Sequence, residues 1–107
     1  MRILVVEDVE IMSLALKFAL EKIGHQVTTT ASVLEAEQEL SSTTYDKIIC
    51  DGNLDPKHTG DGLRLAARLH AEGKNVVIFS SQTKDLPEGV PYVTKSGNPE
   101  TIKAMLG

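Results

Sequence analysis

Five side chains in this 107-residue chain could run chemistry together: Glu7, Asp8, Asp51, Ser80 and Lys95. They are far apart in sequence, yet each lies directly after a short apolar or β-rich run: ILVV, KIIC, VVIF and YVT. Three carboxylates brought together repel, and at ~4 Å in an effective dielectric near 20 each like-charge pair costs on the order of 4 kcal/mol. One of them takes up a proton unless positive charge compensates. Lys95 and a divalent cation are the compensating charges. Oxygen-only donors fit Mg²⁺, and no Cys/His spacing competes for zinc. An aspartate beside a hard cation can act as a nucleophile toward phosphorus, giving an acyl phosphate. Phosphoryl transfer asks mainly for positioning and electrostatics, which the Lys95 ammonium and the Ser80 hydroxyl can supply. No residue stands out as a base for directing water, so a phosphorylated state would persist long enough to signal.

Those residues need elements to position them. Residues 3–6 are a β-rich apolar run. Helical spacing follows from Val9, with Ile11, Leu14, Ala15 and Phe18 expected on the buried face, Leu16, Leu20 and Ile23 widening it, and Gly24 closing it. Gln26–Thr30 reads as a more polar strand near an edge. Ser32 and Glu35 form a capping box for a second helix that buries Ala36 and Leu40. Ile48, Ile49 and Cys50 form a continuous apolar run suited to a strand buried on both faces, ending on Asp51. A long loop over residues 52–61 leads to a third helix marked by Leu63, Ala66, Ala67 and Leu69 and closed by Gly73. Residues 76–79 form a fourth buried strand. Pro87, Gly89 and Pro91 argue against a helix before the short strand Tyr92–Thr94. Asn98-Pro99 then starts a last helix whose inner face is Ile102, Met105 and Leu106. Strands alternating with helices imply right-handed crossovers and a parallel α/β sheet, with all five chemical residues at one edge.

Composition narrows the function classes. The length fits a single domain over 1–107. Eleven Lys plus Arg against 15 Asp plus Glu leave a net charge of −4, which excludes an electrostatic footprint for direct nucleic-acid or anionic-membrane binding. The single cysteine, Cys50, cannot form an intramolecular disulfide and is expected to pack inertly on the strand face opposite Asp51. The N-terminal apolar run is too short for a signal peptide or membrane span, so a cytoplasmic setting is expected. No Walker-type loop supports nucleotide hydrolysis. His25, His58 and His70 read as solvent-facing, with His58 alone near enough to tune the site.

The pieces ILVVED, KIICD, VVIFSS and PYVTK, in that order and each following a strand, resemble a two-component response-regulator receiver domain of the chemotaxis type over essentially the full length. The resemblance implies a flavodoxin-like, doubly wound five-stranded parallel sheet of order 2-1-3-4-5. It implies that Asp51 is the phosphoacceptor, assisted by Lys95 and Ser80. Mg²⁺ would be held by Asp8, Asp51 and the backbone carbonyl of Asn53, with Glu7 acting through water. Ser80 and the aromatic Tyr92 would form the switch, biasing two existing states. The partner implied is a histidine kinase or a histidine phosphotransfer protein. Such a chain is a signalling phosphoacceptor that assists its own phosphorylation and dephosphorylation, not an enzyme with a separate substrate.

Three features depart from that pattern. The segment between Ser80 and Lys95 is too short for the usual fourth helix, the loop after Asp51 is longer and contains His58, and Ser96-Gly97 replaces a cis-proline sequence after Lys95. A cis bond before a residue other than proline costs roughly 2.5 to 4 kcal/mol, so a trans bond and a reshaped loop are expected. The alternative function is a phosphorylation-independent receiver-fold module whose altered face engages a partner protein. A third, an Mg²⁺-dependent phosphohydrolase, rests only on a loose match of residues 51–55 to a DxD nucleophile pattern. Met1 opening directly into a strand reads as a natural start, which leaves a stand-alone receiver or the first domain of something longer.

Overall fold

Among the described residues, strands and helices alternate as far as β4: β1 (Arg2–Val6), α1 (Glu10–Lys22), β2 (Gln26–Thr30), α2 (Val33–Ser42), β3 (Lys47–Asp51), α3 (Asp61–Ala71) and β4 (Val76–Ser80), after which come β5 (Tyr92–Thr94) and α4 (Glu100–Leu106). The structure is a computed structural model, and it describes residues 1–52, 61–81, 86–95 and 100–106. The strands form one sheet of order β2-β1-β3-β4-β5, every pair parallel. This is the flavodoxin-like order that the resemblance implies, and the more polar β2 lies at an edge as its composition suggests.

The continuous apolar runs are explained by burial on both faces. Pleating sends Leu4, Val6, Ile48, Cys50, Val76 and Ile78 to one side, where they meet Ala36 of α2 and Leu65, Ala66 and Leu69 of α3. Ile3, Val5, Ile49, Val77 and Phe79 point to the other side, against Leu16 and Leu20 of α1 and Met105 of α4. Each valine, leucine, isoleucine, phenylalanine or methionine among them contributes on the order of 1.5–3 kcal/mol on burial. Cys50 is therefore core. Burial pushes its thiol up to about 12, and its Sγ lies 3.2 Å from the Gly62 carbonyl.

Local signals set the helix ends. Ser32 Oγ accepts from the Glu35 N–H at 3.1 Å, while Glu35 Oε2 accepts from the Ala31 N–H, one residue earlier than in the usual capping box. Gly24 and Gly73 end α1 and α3 with φ of 100° and 84°, which glycine adopts without steric cost. Among residues 81 and 86–91, no helix forms between β4 and β5, consistent with a fourth receiver helix that is short or absent. Among the described residues, no helix is long and apolar enough to cross a membrane.

The rotation of α1 differs from the expectation. Ile11, Leu14, Ala15 and Phe18 face solvent, Ile11 at 80% and Phe18 at 71% exposure, and Ile23 is exposed as well. The buried face consists of Ser13, Leu16 and Leu20, with Met12 half-buried beside them. Apolar residues occupy most of the helix circumference, so spacing alone does not select a stripe. Leu16 and Leu20 are the ones packed against Ile3, Val5, Ile49 and Val77 of the sheet, as the helix leaves β1 through its N-cap Val9. His70 is exposed as expected, but His25 is half-buried with Nδ1 2.9 Å from the terminal amine. His58 and the Ser96-Gly97 bond lie outside the described residues, as do Asn98 and Pro99.

Candidate functional site

The carboxyl ends of β1, β3, β4 and β5 meet at one edge because the sheet is parallel and its strands end at nearly the same level, Val6 beside Cys50, Asp51 beside Phe79 and Ser80 beside Thr94. The ladder continues past the strands. The Gly52 N–H donates to the Phe79 carbonyl at 3.0 Å, and the Lys95 N–H donates to the Ser80 carbonyl at 2.9 Å. On the other flank, the Glu7 N–H donates to the Thr30 carbonyl at 2.9 Å. The residues at the site are thus fixed by backbone pairing.

Carboxylate oxygens of Glu7, Asp8 and Asp51 all lie within 4.8 Å of one another. Glu7 and Asp51 are each only 2% exposed, whereas Asp8 faces solvent. The Lys95 ammonium reaches in from β5, donating to Asp51 Oδ1 at 2.7 Å and to Glu7 Oε2 at 3.4 Å. Its nitrogen also stands 5.4 Å from the centroid of the Phe79 ring, a cation–π contact. Glu7 Oε1 accepts from the Val9 N–H at 3.2 Å.

These contacts do not fully offset the gathered negative charge. Burial first, and the Asp51 carboxylate second, raise the Glu7 carboxyl from its ordinary 4.5 to about 7, against the lowering effect of Lys95 and the Val9 N–H. Glu7 therefore holds a proton over part of the neutral range unless more positive charge arrives. Three oxygen donors within reach of one another, one of them carrying that strain, fit a hard divalent cation.

The structure brings together Glu7, Asp8, Asp51 and Lys95. Ser80 is buried at the end of β4, with its Cβ and hydroxyl against Gly52. Tyr92 sits on β5 opposite Ile78, three residues before Lys95, and is 51% exposed. Asn53 lies outside the described residues. Two participants escape a reading of the sequence. Phe79, which looks like plain core, also lies beneath the Lys95 ammonium; Gly52, which looks like a turn residue, touches Ser80. The only sequence signal for Gly52 is a glycine directly after the strand-end aspartate.

Comparison with known proteins agrees with this geometry. A model of the family described as response regulator receiver domain matches residues 3–106. The swarming motility regulation protein RssB of Serratia marcescens is 33% identical over 97 residues, covering 91% of this chain and 43% of that protein. The chain thus spans under half the length of that relative. The response regulator protein TrrA of Thermotoga maritima, solved in complex with Mg²⁺-BeF, is 26% identical with a TM-score of 0.84, covering 98% of this chain and 95% of that one. A CheY-like response regulator receiver domain from Methylobacillus flagellatus is 26% identical with a TM-score of 0.82, covering 98% and 94%.

Proposed function

The chain belongs to the response regulator receiver domain family, and from that premise we propose that Asp51 accepts a phosphoryl group from a phosphohistidine on a histidine kinase or phosphotransfer protein. The observation that carries the reading is the Lys95 ammonium, 2.7 Å from Asp51 Oδ1, within a cluster that also holds Glu7 and Asp8. An Asp51 oxygen attacks phosphorus, the P–N bond of the phosphohistidine breaks, and its electron pair stays on the imidazole. Lys95 already holds Asp51, and its ammonium can follow the negative charge onto the phosphoryl oxygens. Phe79, which pairs with Asp51 across the ladder and is buried on the same face of the sheet, restricts water beneath the nucleophile.

Asp8, Asp51 and the backbone carbonyl of Asn53 would hold Mg²⁺, with Glu7 contributing through water. Bound there, the ion supplies neutralising charge for the transferring oxygens. Ser80 and Tyr92 form the switch in this reading. The exposed position of Tyr92 belongs to the resting state, and phosphorylation favours a state in which the Ser80 hydroxyl meets the phosphoryl group and Tyr92 turns inward.

Incubation with acetyl phosphate and Mg²⁺, followed by intact-mass measurement, tests this. The expected result is one phosphoryl adduct on the wild type and none on Asp51→Asn. A second reading, a module that binds a protein partner without phosphorylation, is favoured by the outward apolar residues Ile11, Leu14 and Phe18 of α1, which are on display with Asp51 unmodified. That reading gains if no adduct forms. Multiple turnover on a generic phosphate ester would instead point to a hydrolase.

A further inference from the structure

Gly52 follows Asp51 directly, and its φ lies outside the left-handed region, so backbone conformation does not demand a glycine there. Sterics do. A Cβ at this position would stand 2.7 Å from Ser80 Cβ and 2.8 Å from Ser80 Oγ, with Ile78 Cγ2 at 3.2 Å behind them. Real Cβ atoms essentially never approach other heavy atoms within 3.0 Å. Ser80 cannot easily give way. It is buried, its residue pairs with Thr94 in the ladder, and its carbonyl accepts from the Lys95 N–H. Rotating the hydroxyl away would relieve the Oγ contact but leave the contact at Cβ. A side chain at position 52 and Ser80 in its present place are therefore mutually exclusive.

We propose that Gly52 is a positioning residue that acts through Ser80: the space left by its missing side chain is the seat of the Ser80 side chain beside Asp51. This inference rests on the reading of Asp51 as phosphoacceptor and Ser80 as the hydroxyl that meets the phosphoryl group. The seat fixes how far that hydroxyl stands from the acceptor and, through the Ser80 carbonyl, where Lys95 enters. A methyl group at position 52 shifts the end of β4 by a good fraction of an ångström, a displacement large enough to slow a positioned reaction by one to two orders of magnitude.

A double-mutant cycle tests the coupling, with transfer from acetyl phosphate in the presence of Mg²⁺ followed by intact mass well below each variant's Tm. Gly52→Ala is expected to slow phosphorylation of Asp51 by ~10-fold or more and to lower Tm by several degrees. Ser80→Gly removes both clashing atoms, so adding Gly52→Ala to it is expected to change rate and Tm by under about two-fold and about two degrees. Equal effects of Gly52→Ala in both backgrounds, or a Tm loss with an unchanged rate in the wild-type background, would overturn the proposal. Should Gly52→Ala fail to fold, the double variant decides: folding near the Tm of Ser80→Gly supports the seat, and failure to fold overturns it. If the wild type takes no phosphoryl group, the phosphoacceptor reading fails and the role of Gly52 in transfer fails with it, while the Tm cycle still shows separately whether the two residues compete for one space.

Discussion

The two ends of β3 are both buried and both charged, and they are built differently. At the amino end, Lys47 is 8% exposed and its ammonium donates to the neutral Asn75 Oδ1 at 3.2 Å, while Asn75 Nδ2 donates to the Asp46 carbonyl at 3.1 Å. Burial lowers the Lys47 pKa, and no second charge is crowded against it among these contacts. The amide ties the start of β3 to the start of β4. At the carboxyl end, Asp51 shares one ammonium with Glu7, beside the third carboxylate of Asp8. One end settles its polar groups to hold the sheet in register, whereas the other gathers like charges and leaves Glu7 raised to about 7. Unsettled charge of this kind, held at a cost to stability, marks a site built for a ligand.

Replacing the ammoniums at the two ends should separate them most sharply. Lys95→Met removes the hydrogen bond to Asp51 and is expected to slow phosphoryl transfer from acetyl phosphate by ~100-fold or more. Lys47→Met should leave that rate within about two-fold. Equal effects at both ends would break the comparison.

A pH series sharpens it. The folded-state pKa of Glu7, about 7, lies above its ordinary 4.5, so the folded protein binds a proton that the unfolded chain releases. The stability linked to Glu7 is therefore complete below 4.5 and is lost as pH rises through about 7. For metal-free protein, Tm should fall by several degrees across that window. The fall should shrink in Glu7→Gln, and added Mg²⁺ should oppose it above neutrality. No difference between wild type and Glu7→Gln in a thermal-melt series would show that the carboxyl edge is not strained.

Smaller effects are expected away from that edge. Lys47→Met exchanges a buried ammonium for an apolar side chain of similar length, and its unfolding free energy in urea should change by no more than about 1 kcal/mol. Phe18→Ala on the outward face of α1 should change it by about 0.5 kcal/mol or less, against the ~2–5 kcal/mol of a core leucine such as Leu16.

That last contrast shows where the sequence is ambiguous. The strands were legible because runs such as Ile48-Ile49-Cys50 are buried on both faces, and the glycines at 24 and 73 marked helix ends through a conformation other residues avoid. Strand order came from the family resemblance, since periodicity does not encode which strands are neighbours. The buried stripe of α1 was misplaced because Ile11, Leu14 and Phe18 are as apolar as Leu16 and Leu20, and only the path out of β1 chooses between them. At the candidate site, residue types pointed to Glu7, Asp8, Asp51, Ser80 and Lys95, and the structure clusters Glu7, Asp8, Asp51 and Lys95. They could not distinguish Glu7, turned inward, from Asp8, turned to solvent, because that depends on the backbone after β1. Nor could they reveal Gly52 against Ser80, a contact between the ends of two strands 28 residues apart in the chain.

The most direct test of the account is the intact mass of the wild-type protein and of Asp51→Asn after incubation with acetyl phosphate and Mg²⁺. A single phosphoryl adduct is expected on the wild type, dependent on Mg²⁺ and absent from Asp51→Asn. An unmodified wild type, or an adduct that survives in Asp51→Asn, would contradict it.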